Sequence, residues 1–187
     1  MKINLKKFKK VKSTNDIAIK LIKRNISEPT LVLSEKQTKG RGTMGKKWIS
    51  QKGNLFISIF FKINQMKINF RQFSILNALV LKKTISKSIL KKIKIKWPND
   101  LLYENRKFSG ILQEVINYNQ QNYLIIGLGI NTNIDPQNKS FPSTSLKNIV
   151  KKKIDNKKIL KNIKKGYEKF LNEVKTNSFS ELKKKYR

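Results

Sequence analysis

The 187-residue sequence contains neither cysteine nor histidine. Without cysteine the chain can form no disulfide, thioester intermediate or thiolate zinc site, and without histidine it has no Ser–His or Cys–His nucleophile pair. Any catalysis must therefore use lysine, arginine, carboxylates and backbone dipoles. Chemistry that depends on positioning and charge neutralisation, such as attack on a nucleotide phosphate, is compatible with this set of residues.

Long apolar runs are also absent: none reaches the length of a membrane span, and the first residues contain no signal-peptide core. These absences predict a cytoplasmic protein with no membrane partner. The length suits one domain, and no repeat or low-complexity linker divides the chain. We therefore expect a single domain over residues 1–187.

Acidic residues are scarce, at 11 against 43 lysines and arginines, which gives a formal net charge of +32. Such a charge attracts polyanions, so a nonspecific nucleic-acid-binding protein is one hypothesis. Arginine, the usual side chain for reading bases, occurs only five times, and the lysines are spread over every segment. This distribution favours a general compositional bias over a dedicated binding face and predicts no specific DNA binding.

Glycine is infrequent, yet Gly40, Gly42 and Gly45 fall close together in a basic stretch at 36–48. Glycines let a backbone approach a ligand, and flanking cations suit an anion. The spacing matches a dinucleotide fingerprint, but a strand follows instead of a helix, and a P-loop would need a hydroxyl in place of Lys47. A kinase loop would need a histidine-containing catalytic sequence. An anion-binding loop of another type and a ligand-free basic loop both remain as interpretations.

Hydrophobic periodicity and β-branched or aromatic runs predict alternating strands and helices. The expected strands lie within 1–12 and at 30–34, 54–62, 93–96, 101–103, 108–116 and 123–130. The expected helices lie at about 14–25, 69–90, 159–174 and 179–186, and a loop is expected between the last strand and residue 158.

Short polar motifs interrupt these elements, and each has a structural and a functional interpretation. The segment 13–15 has the residues of a helix N-cap, but the same groups at a helix N-terminus can hold polar ligand atoms. Asn99 and Asp100 follow a proline and are predicted on a turn, where Asp100 is also a candidate for holding Mg²⁺ or accepting a proton from an amine. Lys107 is either a solvated surface group or an ammonium aimed at an anion.

Two further features favour a close approach to the sheet. Gly127 and Gly129 interrupt a predicted strand, and paired glycines in a strand suggest that another group contacts the backbone. Trp48, just beyond the glycine-rich stretch, is either an ordinary core residue or a flat surface for a purine ring.

Five motifs occur in order along the chain. They are Ser13-Thr14-Asn15, Gln37-x-x-Gly40-Arg41-Gly42-x-x-Gly45-Lys46-x-Trp48, Lys96-Trp97-Pro98-Asn99-Asp100, Arg106-Lys107-x-x-Gly110-Ile111-Leu112-x-Glu114 and Gly127-x-Gly129-Ile130-Asn131. Together they resemble the catalytic domain of biotin protein ligase, also called biotin–[acetyl-CoA-carboxylase] ligase, over roughly residues 8–180. The resemblance implies an α+β fold with a central mixed β-sheet flanked by helices, of the class II aminoacyl-tRNA synthetase-like type.

The resemblance also implies a two-step reaction. The biotin carboxylate attacks the α-phosphate of ATP in the presence of Mg²⁺, which gives biotinyl-5′-AMP and pyrophosphate. A lysine of the biotin carboxyl carrier protein of acetyl-CoA carboxylase then accepts the biotinyl group. No covalent enzyme intermediate is needed, which agrees with the absence of cysteine and histidine.

Site residues are carried over from the same motifs. Those implied to bind biotin are Ser13, Thr14, Asn15, Gln37, Gly40, Arg41, Gly42, Thr43, Lys107 and Gly110. Those implied to bind ATP are Arg41, Lys46, Trp48, Asn99, Lys107 and Asn131. Arg41, Lys107 and Asp100 are the implied catalytic residues, with Asp100 a magnesium ligand or a group that positions the acceptor amine. The glycine-rich stretch is expected to order over the bound ligands.

The chain departs from the family pattern at Thr43, where many members carry a second arginine, so retention of the adenylate is expected to be weaker. We expect neither an N-terminal winged helix-turn-helix nor a C-terminal SH3-like domain, and a monomer or homodimer. A lipoate or octanoate ligase, with the related fold and adenylate chemistry, is the nearest alternative. The Gly-Arg-Gly and Lys-Trp-Pro-Asn-Asp sequences favour the biotin branch.

Overall fold

The computed structural model describes residues 1–64, 66–137 and 141–187. Its strands are β1 (Asn4–Phe8), β2 (Thr30–Ser34), β3 (Leu55–Lys62), β4 (Lys94–Lys96), β5 (Asp100–Tyr103), β6 (Arg106–Tyr118) and β7 (Gln121–Ile130). Its helices are α1 (Thr14–Ile22), α2 (Phe70–Ile89), α3 (Leu146–Val150), α4 (Asn156–Glu173) and α5 (Phe179–Tyr186).

The strands form one seven-stranded sheet in the order β1-β2-β3-β7-β6-β5-β4. The pair β1–β2 is parallel and the other neighbours are antiparallel, so the sheet is mixed. Helices lie on both of its faces. The fold class implied by the sequence motifs is therefore confirmed.

One face of the sheet carries the main hydrophobic core beneath α2, α4 and α5. Phe73 of α2 and Phe170 of α4 are fully buried there, with ring centroids 6.2 Å apart in an edge-to-face arrangement. The long helices also begin at well-capped positions: the Asn69 side chain accepts from the Gln72 N–H and the Gln72 side chain accepts from the Asn69 N–H. Apolar spacing and caps together explain why these helices form as predicted.

The opposite face carries α1 and a smaller core. Ala18 and Ile22 of α1 pack against Val32, Phe60 and Ile125 of the central strands. Beyond this small core the same face is covered by polar side chains and by the segment 36–48. This face therefore contains the groups that the sequence analysis singled out.

Several element boundaries differ from the prediction. The helix α3 lies where a loop was expected, and it is a short element whose N-cap Ser145 accepts from the Asn148 N–H. The first strand ends at Phe8, and Val11 forms only an isolated bridge with Gln37. Asp100 is not on a turn: it is the first residue of β5, paired with Lys96, because only residues 97–99 make the connection from β4.

The hairpin between the two longest strands is also tighter than expected. The strand β6 runs to Tyr118 and β7 begins at Gln121, so only two residues connect them. Both connecting residues, Asn119 and Gln120, have positive φ, at 48° and 59°, as a type I′ hairpin turn requires. Among the described residues, no helix is long and apolar enough to cross a membrane.

Candidate active site

The floor of the candidate site is a patch of glycines on the α1 face of the sheet. Gly127 of β7 pairs with Ser58 of β3, and Gly129 pairs with Gly110 of β6. A Cβ at Gly127 would lie 2.5 Å from Asn15 Oδ1, and one at Gly129 would lie 2.3 Å from Trp48 Cε2. The predicted close approach to these glycines is confirmed, and the groups that make it are protein side chains.

A narrow cleft opens above this floor. The predicted site residues that line it are Ser13, Thr14, Asn15, Gln37, Arg41, Gly42, Thr43, Trp48, Asn99, Asp100, Lys107 and Gly110. Three predicted residues lie elsewhere. Gly40 and Lys46 line a groove between the glycine-rich segment and β6, and Asn131 lines neither the cleft nor that groove.

The N-terminus of α1 forms a buried polar pocket at the cleft. Gln37 Oε1 accepts from the backbone N–H of Thr14 at 2.7 Å and lies 3.1 Å from its hydroxyl. Ser58 Oγ lies 2.8 Å from Thr14 Oγ1 and 2.5 Å from Asn15 Oδ1. Because a serine hydroxyl has a single proton, it can donate to only one of these two oxygens at a time.

Ser13 is the N-cap residue of α1 by position, but its side chain makes no cap hydrogen bond. The N-cap interpretation of the segment 13–15 is therefore correct for its place in the fold and wrong for the Ser13 hydroxyl. Thr14 and Asn15 direct their polar groups to Gln37 and Ser58 instead. All three residues are buried, so these contacts are made away from water.

The segment 36–48 folds back on itself as a hairpin-like loop, which we call the glycine loop. Gly42 N–H donates to Lys46 O at 2.7 Å and Trp48 N–H donates to Gly40 O at 2.9 Å. Gly40 has no room for a side chain, since a Cβ would lie 2.5 Å from Trp48 O. Gly45 has a φ of 71°, which glycine adopts at no steric cost.

Lys107 lies beside Asp100 in the cleft, with Nζ 2.7 Å from Asp100 Oδ1 and only 17 % and 18 % of the two side chains exposed. The ammonium is also 5.3 Å from the Trp48 ring centroid and 5.0 Å from that of Phe141. The 141–144 segment fixes the Lys107 backbone, because Lys107 N–H donates to Pro142 O at 2.9 Å. Lys107 is therefore a held cation and not a solvated surface group.

Arg41 makes its contacts with carboxylates of the protein. Its Nη1 and Nη2 donate to the two oxygens of Glu114 at 2.8 and 2.9 Å, and Nη2 lies 3.1 Å from Asp16 Oδ1. Glu114 Oε2 also accepts from Asn15 Nδ2 at 2.6 Å. The glycine loop, α1 and β6 are thereby joined through one carboxylate.

Asn99 and Asn131 are engaged by the fold. Asn99 Nδ2 donates to Ile111 O at 3.1 Å and Asn99 O accepts from Ile111 N–H at 2.9 Å. Asn131 Nδ2 donates to Thr144 O at 3.2 Å, while its buried Oδ1 has no hydrogen-bond partner among the described residues. Trp48 Nε1 is likewise buried without a described partner.

Sequence reasoning gave no role to three residues of this site. Ser58 is the one hydroxyl in the otherwise apolar run 55–61 of β3, and that contrast was the available signal. Glu114 belongs to one of the quoted motifs but was assigned no partner. Asp16 directly follows the Ser-Thr-Asn motif, and nothing local in the sequence indicates that it meets Arg41. Within the described ranges, no group of three or more Asp, Glu, His or Cys side chains could hold a metal ion.

Comparison with known proteins agrees with the resemblance seen in the sequence motifs. Residues 7–131 match the model of the biotin/lipoate A/B protein ligase family. The chain is 34 % identical over 179 residues to the bifunctional ligase/repressor BirA of Bacillus subtilis (strain 168), covering 91 % of this chain and 54 % of that protein. The chain thus spans about half the length of this relative.

Solved structures agree with the observed fold. The biotin protein ligase from Aquifex aeolicus in complex with biotin and ATP matches with a TM-score of 0.84 and 32 % identity, over 98 % of this chain and 76 % of that chain. LipL1 of P. falciparum in complex with lipoate matches with a TM-score of 0.64 and 14 % identity, over 95 % of this chain and 64 % of that chain. The second likeness is one of fold alone.

Proposed function

The chain belongs to the biotin/lipoate A/B protein ligase family, and from this we propose that it is an ATP-dependent biotin protein ligase. It would activate biotin as biotinyl-5′-AMP and transfer the biotinyl group to a lysine of a biotin carboxyl carrier protein. The Aquifex aeolicus ligase, with its bound biotin and ATP, supports the choice of substrates.

The observation that carries the proposal is the arrangement of groups above the glycine floor. Asn15 of the polar pocket lies on Gly127, and the Trp48 indole lies on Gly129 of the same strand face. Two residues along a strand span about 7 Å, so the pocket and the ring are neighbours. Lys107 lies next to the ring, since a Cβ at Gly110 would be 3.4 Å from its Nζ and 2.9 Å from the Trp48 ring, and it lines the same cleft as the polar pocket. A polar head group, an anionic centre and an aromatic base can thus be bound side by side.

In the first step, a biotin carboxylate oxygen forms a bond to the α-phosphorus of ATP, and the bond to pyrophosphate breaks. Both reactants are anionic, so a fixed cation at the point of attack lowers the barrier. In the proposed reaction, the Lys107 ammonium is this cation. The polar groups of Thr14, Asn15 and Gln37 hold the biotin head group, and Trp48 lies against the adenine.

In the second step, the amine of the acceptor lysine attacks the acyl carbon of biotinyl-5′-AMP. An amide bond forms, AMP leaves with the electrons of the broken acyl–phosphate bond, and the amine loses a proton. Neither cysteine nor histidine is needed at either step. The carrier protein belongs to the proposal on the strength of the resemblance, and a cytoplasmic location belongs to it because no apolar run reaches the length of a membrane span.

The residues present do not fit a magnesium site built by the protein. Asp100 is already paired with the Lys107 ammonium at 2.7 Å, and the described residues offer no cluster of acidic ligands around it. Magnesium in nucleotide enzymes is usually bound by one or two carboxylates together with substrate phosphates. We therefore assign Asp100 to the positioning of Lys107, and a magnesium ion would be held mainly by the substrate phosphates.

The experiment that tests the proposal is ATP–pyrophosphate exchange with the purified chain. We expect exchange that depends on biotin and is not stimulated by lipoate or octanoate. Exchange stimulated by lipoate but not by biotin would establish the alternative ligase. No exchange with any of these acids, together with sequence-selective nucleic-acid binding at physiological salt, would support the binding-protein hypothesis instead.

A further inference from the structure

The guanidinium of Arg41 is bound by two carboxylates of the protein itself. We propose that the Arg41 side chain is a latch that fastens the glycine loop to α1 and β6, and that Glu114 and Asp16 are the positioning residues that hold it. The catalytic role implied for this guanidinium by the family resemblance then falls to Lys107. The kinetic part of this inference rests on the proposed function.

The hydrogen-bond geometry supports the latch. Arg41 and Glu114 form a bidentate pair, with both guanidinium NH₂ groups facing both carboxylate oxygens at 2.8 and 2.9 Å. Such pairs are stronger and more specific in orientation than single hydrogen bonds. Because Nη2 also contacts Asp16 at 3.1 Å, the end of the guanidinium is occupied by protein groups.

The local charge argues against an anion at Arg41. One guanidinium lies between the carboxylates of Glu114 and Asp16, so the three side chains together carry one negative charge. A carboxylate or phosphate that approached this guanidinium would also approach two like charges, which is unfavourable. Lys107, by contrast, contacts a single carboxylate and is more deeply buried than Arg41, which is 39 % exposed.

Glu114 also links the loop to the polar pocket. Its Oε2 accepts from Asn15 Nδ2 at 2.6 Å, and Asn15 continues through Ser58 and Thr14 to Gln37, at the start of the loop. Gln37 Nε2 in turn donates at 2.9 Å to a serine just beyond the loop's end. The loop is therefore tied to α1 at its base by Gln37 and near its tip by Arg41.

Hydrogen–deuterium exchange tests the latch without any assay of activity. Glu114→Gln removes the charge that holds Arg41 but keeps an oxygen that can accept from Asn15. Loss of a charge-assisted bidentate pair should raise exchange by about tenfold at the loop N–H groups of Gly42 and Trp48, and leave β3 unchanged. The matched control is Glu35→Gln, a half-exposed carboxylate beside the loop whose only described ion pair is a 3.9 Å contact with Lys52.

A mutant cycle on the adenylation rate separates a latch from a substrate contact. If Arg41 acts only through its carboxylates, then Arg41→Met, Asp16→Asn/Glu114→Gln and the triple variant should lose kcat/KM to the same extent, within about threefold. If Arg41 binds the substrate anion, the double variant Asp16→Asn/Glu114→Gln should keep or exceed the wild-type kcat/KM, while Arg41→Met loses it.

Each result decides the inference. The second kinetic pattern, or unchanged loop exchange in Glu114→Gln, would overturn the latch. Should the wild-type chain show no biotin-dependent exchange of pyrophosphate, the proposed function would fail while the hydrogen-exchange comparison still tested the latch on its own.

Discussion

The two faces of the sheet are built on different principles. Beneath α2, α4 and α5 lie large aromatic and aliphatic side chains; Phe73, Tyr167 and Phe170 are fully buried there, and their rings pack edge to face. On the α1 face the buried side chains include Thr14, Asn15 and Ser58. One face contributes most of the apolar burial that stabilises the fold, and the other holds polar groups fixed by one another above a glycine floor. The apolar core on one side of the sheet therefore stabilises the scaffold that positions the polar groups of the cleft on the other side.

The largest expected effect comes from Lys107 on the cleft face. Lys107→Ala removes the cation proposed to stabilise charge at the α-phosphorus, and we expect the adenylation rate to fall by about 10³-fold, near 4 kcal/mol of barrier. Pyrophosphate exchange measures this loss. The core beneath α2, α4 and α5, whose side of the sheet we call the helical face, is untouched, so the fold should persist.

A second variant keeps this prediction decisive. Lys107→Ala leaves Asp100 without its 2.7 Å partner, which is itself unfavourable for a largely buried carboxylate. The double variant Lys107→Ala/Asp100→Ala removes that unpaired charge. It should therefore be at least as stable as Lys107→Ala but no more active than that single variant. Recovery of exchange in the double variant would show that Lys107 has only a structural role.

On the helical face the comparable change is Phe170→Ala. Its ring packs edge-on against Phe73, Tyr167 and Tyr186, at centroid distances of 6.2, 6.2 and 5.7 Å. Truncation of a buried phenylalanine costs about 3–5 kcal/mol of folding free energy, measured by urea denaturation. Activity per folded molecule should not change. A specific effect on biotin KM in the milder Phe170→Leu variant would break the division between the faces.

The helical face was the more predictable of the two from sequence. The helix α2 was expected at 69–90 and lies at 70–89, because its apolar positions recur at helical spacing and Asn69 and Gln72 form a capping box. The short helix α3 was missed, since five residues are too few to show a period. The start of β5 was misplaced because Pro98 suggested a longer turn than the three residues that make it.

The cleft was predictable only in part. The family resemblance carried by the short motifs implied most of the residues that line it. The contacts between motifs could not be predicted from the sequence, because their partners are far apart along the chain. Arg41 and Glu114 are 73 positions apart, and Asn15 and Ser58 are 43 apart. These pairs form because β3, β7 and β6 are neighbours in the sheet, an order that periodicity does not reveal.

A smaller effect is expected from adding a side chain at Gly129, in the glycine floor of the cleft. A Cβ in Gly129→Ala would lie 2.3 Å from Trp48 Cε2, so the indole must move away from the sheet. If Trp48 contacts adenine, the loss of about 1–3 kcal/mol of stacking should raise the KM for ATP by about 5- to 150-fold, with little change in the KM for biotin.

Gly166 provides the matched control for this glycine on the other face. A Cβ there would lie 2.6 Å from Thr84 Oγ1, between α4 and α2 and away from the cleft. Gly166→Ala should alter only the free energy of unfolding. An equal rise in the KM for ATP in both variants would contradict the assignment of Trp48 to the nucleotide.

The smallest effect concerns a carboxylate that fastens α5 to the helical face. Burial acts to raise the pKa of Glu173, but hydrogen bonds from Lys185 and Tyr186 and the charges of Lys185 and Lys169 outweigh it, so the pKa lies below its ordinary value of 4.5. A lowered pKa in the folded state means that the carboxylate stabilises the fold above pH 4.5, and that this contribution is lost as the pH falls through the folded-state pKa.

Glu173→Gln should therefore lower the free energy of unfolding by about 1–2 kcal/mol at pH 7, since it weakens hydrogen bonds to a charged acceptor. The difference from wild type should begin to shrink as the pH drops below 4.5, where Glu173 of the unfolded chain takes up a proton, and should vanish once the pH falls below the lowered pKa of the folded state. Urea titrations at several pH values measure it, with Glu35→Gln as the exposed control. A difference that stays constant down to acid pH would show that Glu173 stabilises the helical face by its shape and not by its charge.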